Sequence, residues 1–174
     1  MCYCVLNPNE NIPRRYKLKE HYLRDVLKDK FTNVNLIFDK RIDNGCSARR
    51  PDIRIECLTH TIIIECDENQ HKNYNCENKR TMEIFQDLGN RPLVLIRFNP
   101  DSYMDEQGYR YASCFSLTKV NSLTLDKGEW KNRIKKLTEL IDKYMAQIPE
   151  KEVTEEHLFY NFIGHNKDES VSTI

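Results

Sequence analysis

Apolar residues recur at helical spacing early in the chain. In "RRYKLKEHYLRDVLKDKF" these are Tyr16, Leu18, Tyr22, Leu23, Val26, Leu27 and Phe31, with charges between them and Pro13 just ahead. The pattern predicts an amphipathic helix. "VNLIFDKRI" predicts a strand running into a turn at Asn44-Gly45. "PDIRIECL" alternates: Ile53 and Ile55 fall on one face and Asp52, Arg54 and Glu56 on the other, while Pro51 fits only at the opening of a strand. After a tight Leu58-Thr59-His60 connection, the apolar run in "HTIIIECD" predicts a central strand buried on both faces.

"NCENKRTMEIFQDLG" predicts a second helix with Met82, Ile84, Phe85 and Leu88 turned inward and Gly89 as its stop. "RPLVLIRFNP" predicts another buried strand, closed by Asn99-Pro100, followed by a polar stretch from Asp101 to Gly128 with no element assigned. A last helix is predicted over "EWKNRIKKLTELIDKYMAQI", built on Trp130, Ile134, Leu137, Leu140, Ile141 and Tyr144. "HLFYNFI" reads as a terminal edge strand and the last ten residues as disordered. The order helix, three strands, helix, strand, helix predicts one α/β domain with a central mixed sheet flanked by helices. The expected division is an N-terminal arm over 1–13, the domain over 14–148 and a C-terminal extension over 149–174.

Composition changes this picture little. A chain of 174 residues can bury one full core, and 31% charged against 39% hydrophobic residues is a globular balance. No apolar stretch is long enough to span a bilayer and no secretion-like leader opens the chain, so the expectation is an intracellular protein, cytoplasmic or nuclear, without a membrane partner. The seven cysteines form no CxxC pair; Cys2 and Cys4 belong either to a metal site or its remnant, or to ordinary reduced thiols. Net charge is zero, yet from Arg14 to Arg54 twelve basic residues face six acidic ones, and the tail is acidic. A basic face beside an acidic site would give that distribution, and so would ordinary solvated helices.

The chemistry concentrates where the isoleucine run ends. Glu65 and Asp67 are two apart, so they share a face, and Asp52 opens the neighbouring strand. Convergent hard carboxylate oxygens suit Mg²⁺, with Mn²⁺ as a substitute. His71, a few residues on, has the side chain best suited to proton transfer near neutrality. The competing reading makes Asp67 and Glu68 helix caps or solvent-facing acids, and Asp52 a turn residue. Unpaired charges directly after buried apolar runs weigh against it.

"RPDIRIECLTHTIIIECDENQH" also resembles the core of the PD-(D/E)xK nuclease superfamily, in which an Asp opens one strand of a hairpin and a Glu-x-Lys ends the next. Pro51-Asp52 matches the first element and Glu65 the second, and Asp67 falls where the lysine usually stands. This variant is similar to the branch of very-short-patch repair endonucleases, EDxHD homing endonucleases and small restriction-like proteins of bacteria and large DNA viruses. Glu68 departs from the glycine often found there. "KRTMEIFQDLGNRPLVLIRFNPD" resembles the helix and strand that follow in the same branch.

The resemblance implies a restriction-endonuclease-like domain acting as a Mg²⁺-dependent DNA endonuclease with a homing or repair role. It implies Asp52, Glu65 and Asp67 as metal ligands, with Glu20, Gln70 and His71 completing the catalytic set. Arg49, Arg50, Lys72 and Arg80 would approach phosphates, although Arg80 could equally pair with Glu65 or Asp67, and Tyr74 either stacks on a base or packs. Two other readings stay open: a nucleic-acid-binding module of the same fold without catalysis, and a nuclease acting on RNA. Because one site cuts one strand, a homodimer is a further expectation.

Overall fold

The computed structural model describes residues 15–70, 74–117 and 123–161. Helix α1 (Arg15–Lys30) leads into strands β1 (Leu36–Phe38), β2 (Ile53–Glu56) and β3 (Thr61–Cys66). A 3₁₀ turn over Glu68–Gln70 precedes helix α2 (Tyr74–Asp87) and strand β4 (Leu93–Phe98). Two small hairpins follow, β5 (Tyr103–Met104) with β6 (Arg110–Tyr111) and β7 (Phe115–Leu117) with β8 (Leu123–Leu125). Helix α3 (Lys127–Ala146) and strand β9 (Val153–Leu158) end the described chain.

The main sheet has the order β1-β2-β3-β4-β9. The first three strands run antiparallel, whereas β3, β4 and β9 are parallel. Parallel neighbours need long crossovers, and the chain makes them through α2 and then through the hairpins and α3. The fold is thus α/β, with a central mixed five-stranded sheet and three helices.

Strand parity sorts the core. Ile53, Ile55, Ile62, Ile64, Val94, Ile96 and Phe98 pack with Leu23 and Leu27 of α1 and Trp130, Ile134, Leu137 and Ile141 of α3. Ile63, Leu93 and Leu95 form a smaller cluster on the other side with Ile84 and Phe85 of α2 and Leu88 just past its end. The central position expected for the isoleucine strand is the one observed, with Thr61 through Glu65 all buried. Gly89 at φ 69° ends α2 as expected, a conformation that glycine adopts without steric cost. Asp126 caps α3 by accepting from the Gly128 and Glu129 amides at 2.9 and 3.0 Å.

Several expectations are corrected. Arg54, assigned by alternation to a polar face of its strand, is only 4% exposed, because that face is covered too. Met82 is 48% exposed rather than inward-facing. The first strand is reduced to Leu36–Phe38 and is only half-buried, Asp39 turning away with φ 42°. The polar stretch holds four strands of two or three residues, too short for periodicity to register. The terminal strand is an edge strand, but it begins at Val153 and ends at Leu158. The segment expected as an extension therefore supplies the fifth strand of the sheet. Among the described residues no helix is long and apolar enough to cross a membrane. The expected arm (1–13) and the last ten residues lie outside the described residues.

Candidate active site at the carboxyl ends of β3 and β4

The β2–β3 register pairs Ile53 with Ile64, which brings Asp52 opposite Glu65 one step further on. Directly opposed antiparallel residues share a face, so both acids lie on the α2 side. Asp52 Oδ2 accepts from the Cys66 amide at 2.8 Å, pinning the start of β2 to the end of β3. Glu65, 6% exposed, accepts on Oε1 from the Arg80 guanidinium of α2 at 2.8 Å. Arg80 also donates to the Arg50 carbonyl at 3.3 Å and so ties the helix to the approach to β2.

Asp67 continues the same parity just beyond the strand, where its amide bonds the Phe98 carbonyl at 2.9 Å. Its carboxylate is 5% exposed and accepts on Oδ2 from Arg97 at 2.8 Å and from the Tyr160 hydroxyl at 2.6 Å. Arg97 stands beside Glu65 in the β3–β4 register and also donates to Glu155 of β9. His157 Nε2 lies 3.4 Å from that same Glu155 carboxylate. On the α1 side, Lys19 bridges Glu68 at 3.1 Å and Asp101 at 2.8 Å, and one Glu68 oxygen is buried without a hydrogen-bond partner.

The electrostatics follow from burial first and crowding second. Burial pushes Asp52 up to about 6, and the Glu20 and Asp67 charges add to it, against the Cys66 amide and Arg80. Burial and the adjacent Asp52 charge lift Glu65 to about 8, with Arg80 opposing. The Cys66 thiol, ringed by Asp52, Glu68, Asp67 and Glu20, is raised well above its ordinary value by burial and those charges. It is a poor nucleophile. Burial, more than their mutual repulsion, raises the proton affinity of these two facing carboxylates, with Arg80 already on Glu65.

Of the residues expected in the site, Asp52, Glu65, Asp67 and Arg80 come together. Glu20 is half-buried on α1, and its charge bears on Asp52, Cys66 and Glu68. Gln70, at φ 58°, ends the 3₁₀ turn and accepts from the Asn161 amide at 3.2 Å, so it joins the turn to the segment after β9. Arg49 is engaged by Glu83 at 2.6 Å, and Arg50 is exposed. His71, Lys72 and the side chain of Tyr74 lie outside the described residues, as do Cys2 and Cys4. The solvent-facing reading of Asp67 does not hold, since it is 5% exposed and its side chain binds Arg97 and Tyr160 across the sheet.

Sequence reasoning passed over Arg97, Tyr160, Lys19, Asp101 and Glu155. Arg97 did leave a signal, being a cation inside the apolar run of β4 at the parity that leads to the acids. Tyr160 left none.

Metal fit rests on the donor set. Among the described residues no group of three or more His, Cys, Asp or Glu side chains is arranged to hold an ion. Mg²⁺ commonly takes only one or two carboxylates and keeps several waters. The Asp52–Glu65 pair meets that need, and its raised proton affinity marks a deficit that a divalent cation would relieve. Compared with models of protein families, with curated proteins and with solved structures, the chain matches none.

Proposed function

We propose that this protein is a divalent-metal-dependent endonuclease that hydrolyses phosphodiester bonds, with DNA as its polymer and Mg²⁺, or Mn²⁺ in its place, as its cofactor. The observation that carries the reading is the register setting half-buried Asp52 opposite buried Glu65, with both carboxylates crowded into a raised proton affinity. The sequence resemblance to PD-(D/E)xK nucleases, and to their very-short-patch and homing branch, supports the same assignment and suggests a homing or repair role. Asp52 and Glu65 hold the metal. When bound, that ion supplies charge to a phosphoryl oxygen and acidifies a water.

The chain's own groups do the rest. Arg80 fixes the orientation of Glu65 and favours its ionised form, which is the form that binds a cation. Arg97 and Tyr160 hold Asp67 still at the edge of the site, where it orients the reacting groups directly or through water. Gln70 sits in a turn held to the strand ends and positions water or phosphate, while Glu20 adds negative charge from α1. His71 serves as proton acceptor for the attacking water or as proton donor to the leaving oxygen. Hydrolysis adds the elements of water across one P–O bond, leaving one phosphomonoester end and one hydroxyl end.

Incubating supercoiled plasmid and single-stranded circles with the protein and Mg²⁺ or Mn²⁺ tests this. The wild type nicks or cuts; Asp52→Ala and Glu65→Ala lose roughly 10²–10³-fold or more, in line with removing one preorganised charge-stabilising group. Metal-dependent cleavage that survives both substitutions sinks the proposal. A second reading, a nucleic-acid-binding module without catalysis, is favoured by one observation: Arg80 and Arg97 already neutralise Glu65 and Asp67. Such a module would bind nucleic acid with a steep salt dependence and no need for divalent ions.

A further inference from the structure

Beyond the acids, the segment from Phe159 to Asn161 does three things at once. Tyr160 bonds Asp67, and Asn161 accepts from the Met104 amide at 2.7 Å while its own amide bonds Gln70. Phe159, held at φ 66°, turns the other way and packs its ring 5.8 Å from those of Phe98 and Tyr103. A bulky residue with positive φ is strained and persists only where its surroundings fix it. Here the Asn99 side chain, donating to the Phe159 carbonyl at 2.7 Å, and the packing of the Phe159 ring fix it. The ring borders a shelf of about 370 Å³ between the β5–β6 hairpin and α3, lined by Tyr103, Tyr111, Phe159, Arg133, Lys135 and Lys136.

The shelf is aromatic and cationic together. Tyr103 and Tyr111 stack with centroids 4.7 Å apart and planes within 9°. Arg133 lies 5.0 Å from both the Tyr103 and Phe159 rings, and Lys136 is 5.7 Å from Phe159. Two acids also line it, but Glu129 is bound by Arg133 at 2.8 Å and Glu139 lies 3.8 Å from Lys135. The cations Arg133 and Lys136 over the Tyr103 and Phe159 rings repel a cationic ligand. They attract an anionic one, and a flat π-face finds the Tyr111 ring, 39% exposed. Tyr109, 69% exposed, and Arg110 extend the same character along the hairpin.

We infer that this shelf binds an unpaired nucleotide of a single-stranded nucleic acid, one residue along the chain from the Tyr160 that holds Asp67. The base lies against Tyr111, the exposed member of the Tyr103–Tyr111 pair, and its phosphates meet Lys135 and Lys136. The inference rests on the nuclease reading for its substrate, deepening it from nucleic acid in general to a strand with an unpaired base. A paired base cannot present its face to a protein ring without leaving the duplex, so the shelf selects single-stranded or locally opened substrate.

Binding in EDTA tests the shelf apart from catalysis. Fluorescence anisotropy would compare a labelled single-stranded oligothymidylate with a duplex of equal length. The single strand binds more tightly to wild type. Tyr111→Ala weakens it by roughly tenfold, the loss expected for one stacked base, and Tyr111→Phe restores it. Lys136→Ala weakens it less and reduces the slope of log affinity against log salt by roughly 0.7.

Equal binding of duplex and single strand, an unchanged Tyr111→Ala, or a Tyr111→Phe as weak as the alanine variant overturns the inference. If Tyr111→Ala fails to melt cooperatively, the exposed Lys136→Ala decides, and an unchanged affinity and slope overturn it. Plasmid cleavage with Mg²⁺ keeps the two readings separate. Tyrosine-dependent binding without cleavage removes the nuclease and leaves the shelf; cleavage without tyrosine-dependent binding does the reverse.

Discussion

The two faces of the same sheet are built on opposite principles. Against α1 and α3 the strands present Ile53, Ile55, Ile62, Ile64, Val94, Ile96 and Phe98, apolar from one end to the other. Against α2 they begin in the same way with Ile63, Leu93 and Leu95, then change to Glu65 and Arg97, with Asp52, Asp67 and Glu155 beside them. One residue of strand separates the two regimes, because period-two alternation sends neighbours to opposite faces. The apolar face anchors the strands; the other face uses that rigidity to hold like charges close together. Held that way, the acids give up ease of ionisation for a fixed geometry, which is the state a cation can exploit.

Arg97 and Phe98 are sequence neighbours pointing to opposite faces, so substituting each gives the sharpest test and the largest effect. Phe98→Ala removes a fully buried ring and is expected to cost about 3–5 kcal/mol, with little dependence on pH. Arg97→Met leaves Asp67 and Glu155 facing each other without their shared cation, at a comparable cost of about 3–5 kcal/mol. That second loss should shrink in acid: Glu155 is held below its usual range by His157 and Arg97, a stabilisation that the wild type also loses as pH falls and Glu155 takes up a proton. Urea denaturation of both variants at acidic and neutral pH checks it; parallel pH responses would mean that the α2 face is not organised by charge.

That contrast also shows what was legible in the chain. The helices, the central strand and the shared side of Glu65 and Asp67 follow from periodicity, which is a local property. Arg54 shows the limit: alternation marks the second face but not whether water or another helix covers it, and here α2 and the preceding loop do. The partners of Asp67 come from β4 and from beyond β9, 30 and 93 residues away, and pairing over such distances has no local signature. The strand "VTEEHL" reads as polar because Glu155 and Glu156 are spent on Arg97 and Tyr144 rather than on a core. The two hairpins are too short to show any period.

A somewhat smaller effect comes from titrating the charged face without changing it. Glu65 is lifted from 4.5 to about 8 and Asp52 from 3.8 to about 6, so across these windows the folded protein holds protons that the unfolded chain has released. Metal-free stability therefore falls as pH rises from about 4.5 to about 8. On the proposed function Mg²⁺ or Mn²⁺ would favour the deprotonated pair, so the rise in melting temperature on adding metal should grow with pH through the same window. Glu65→Gln should flatten both trends and raise the metal-free melting temperature near neutrality, since it removes the cost of burying that charge and its repulsion with Asp52. Calorimetric melts with and without metal check this, and a metal effect independent of pH would separate cation binding from these acids.

The smallest effect sharpens the comparison at its rim. Arg50 is exposed where Arg97 is buried, although its backbone carbonyl receives Arg80 at the edge of the same site. An exposed arginine contributes little to folding, so Arg50→Ala is expected to change stability by no more than about 0.5 kcal/mol. On the proposed function its contribution would be to phosphate: duplex affinity should weaken evenly across sequences, and the salt slope should fall by roughly 0.9, the amount one neutralised phosphate supplies. Arg49→Ala, whose guanidinium already serves Glu83, should reduce that slope by less. Affinity measured over a series of salt concentrations for the two variants reads this directly. Equal slopes for wild type and Arg50→Ala would move the nucleic-acid path away from the opening of β2, and with it the role of the arginine pair beside Asp52.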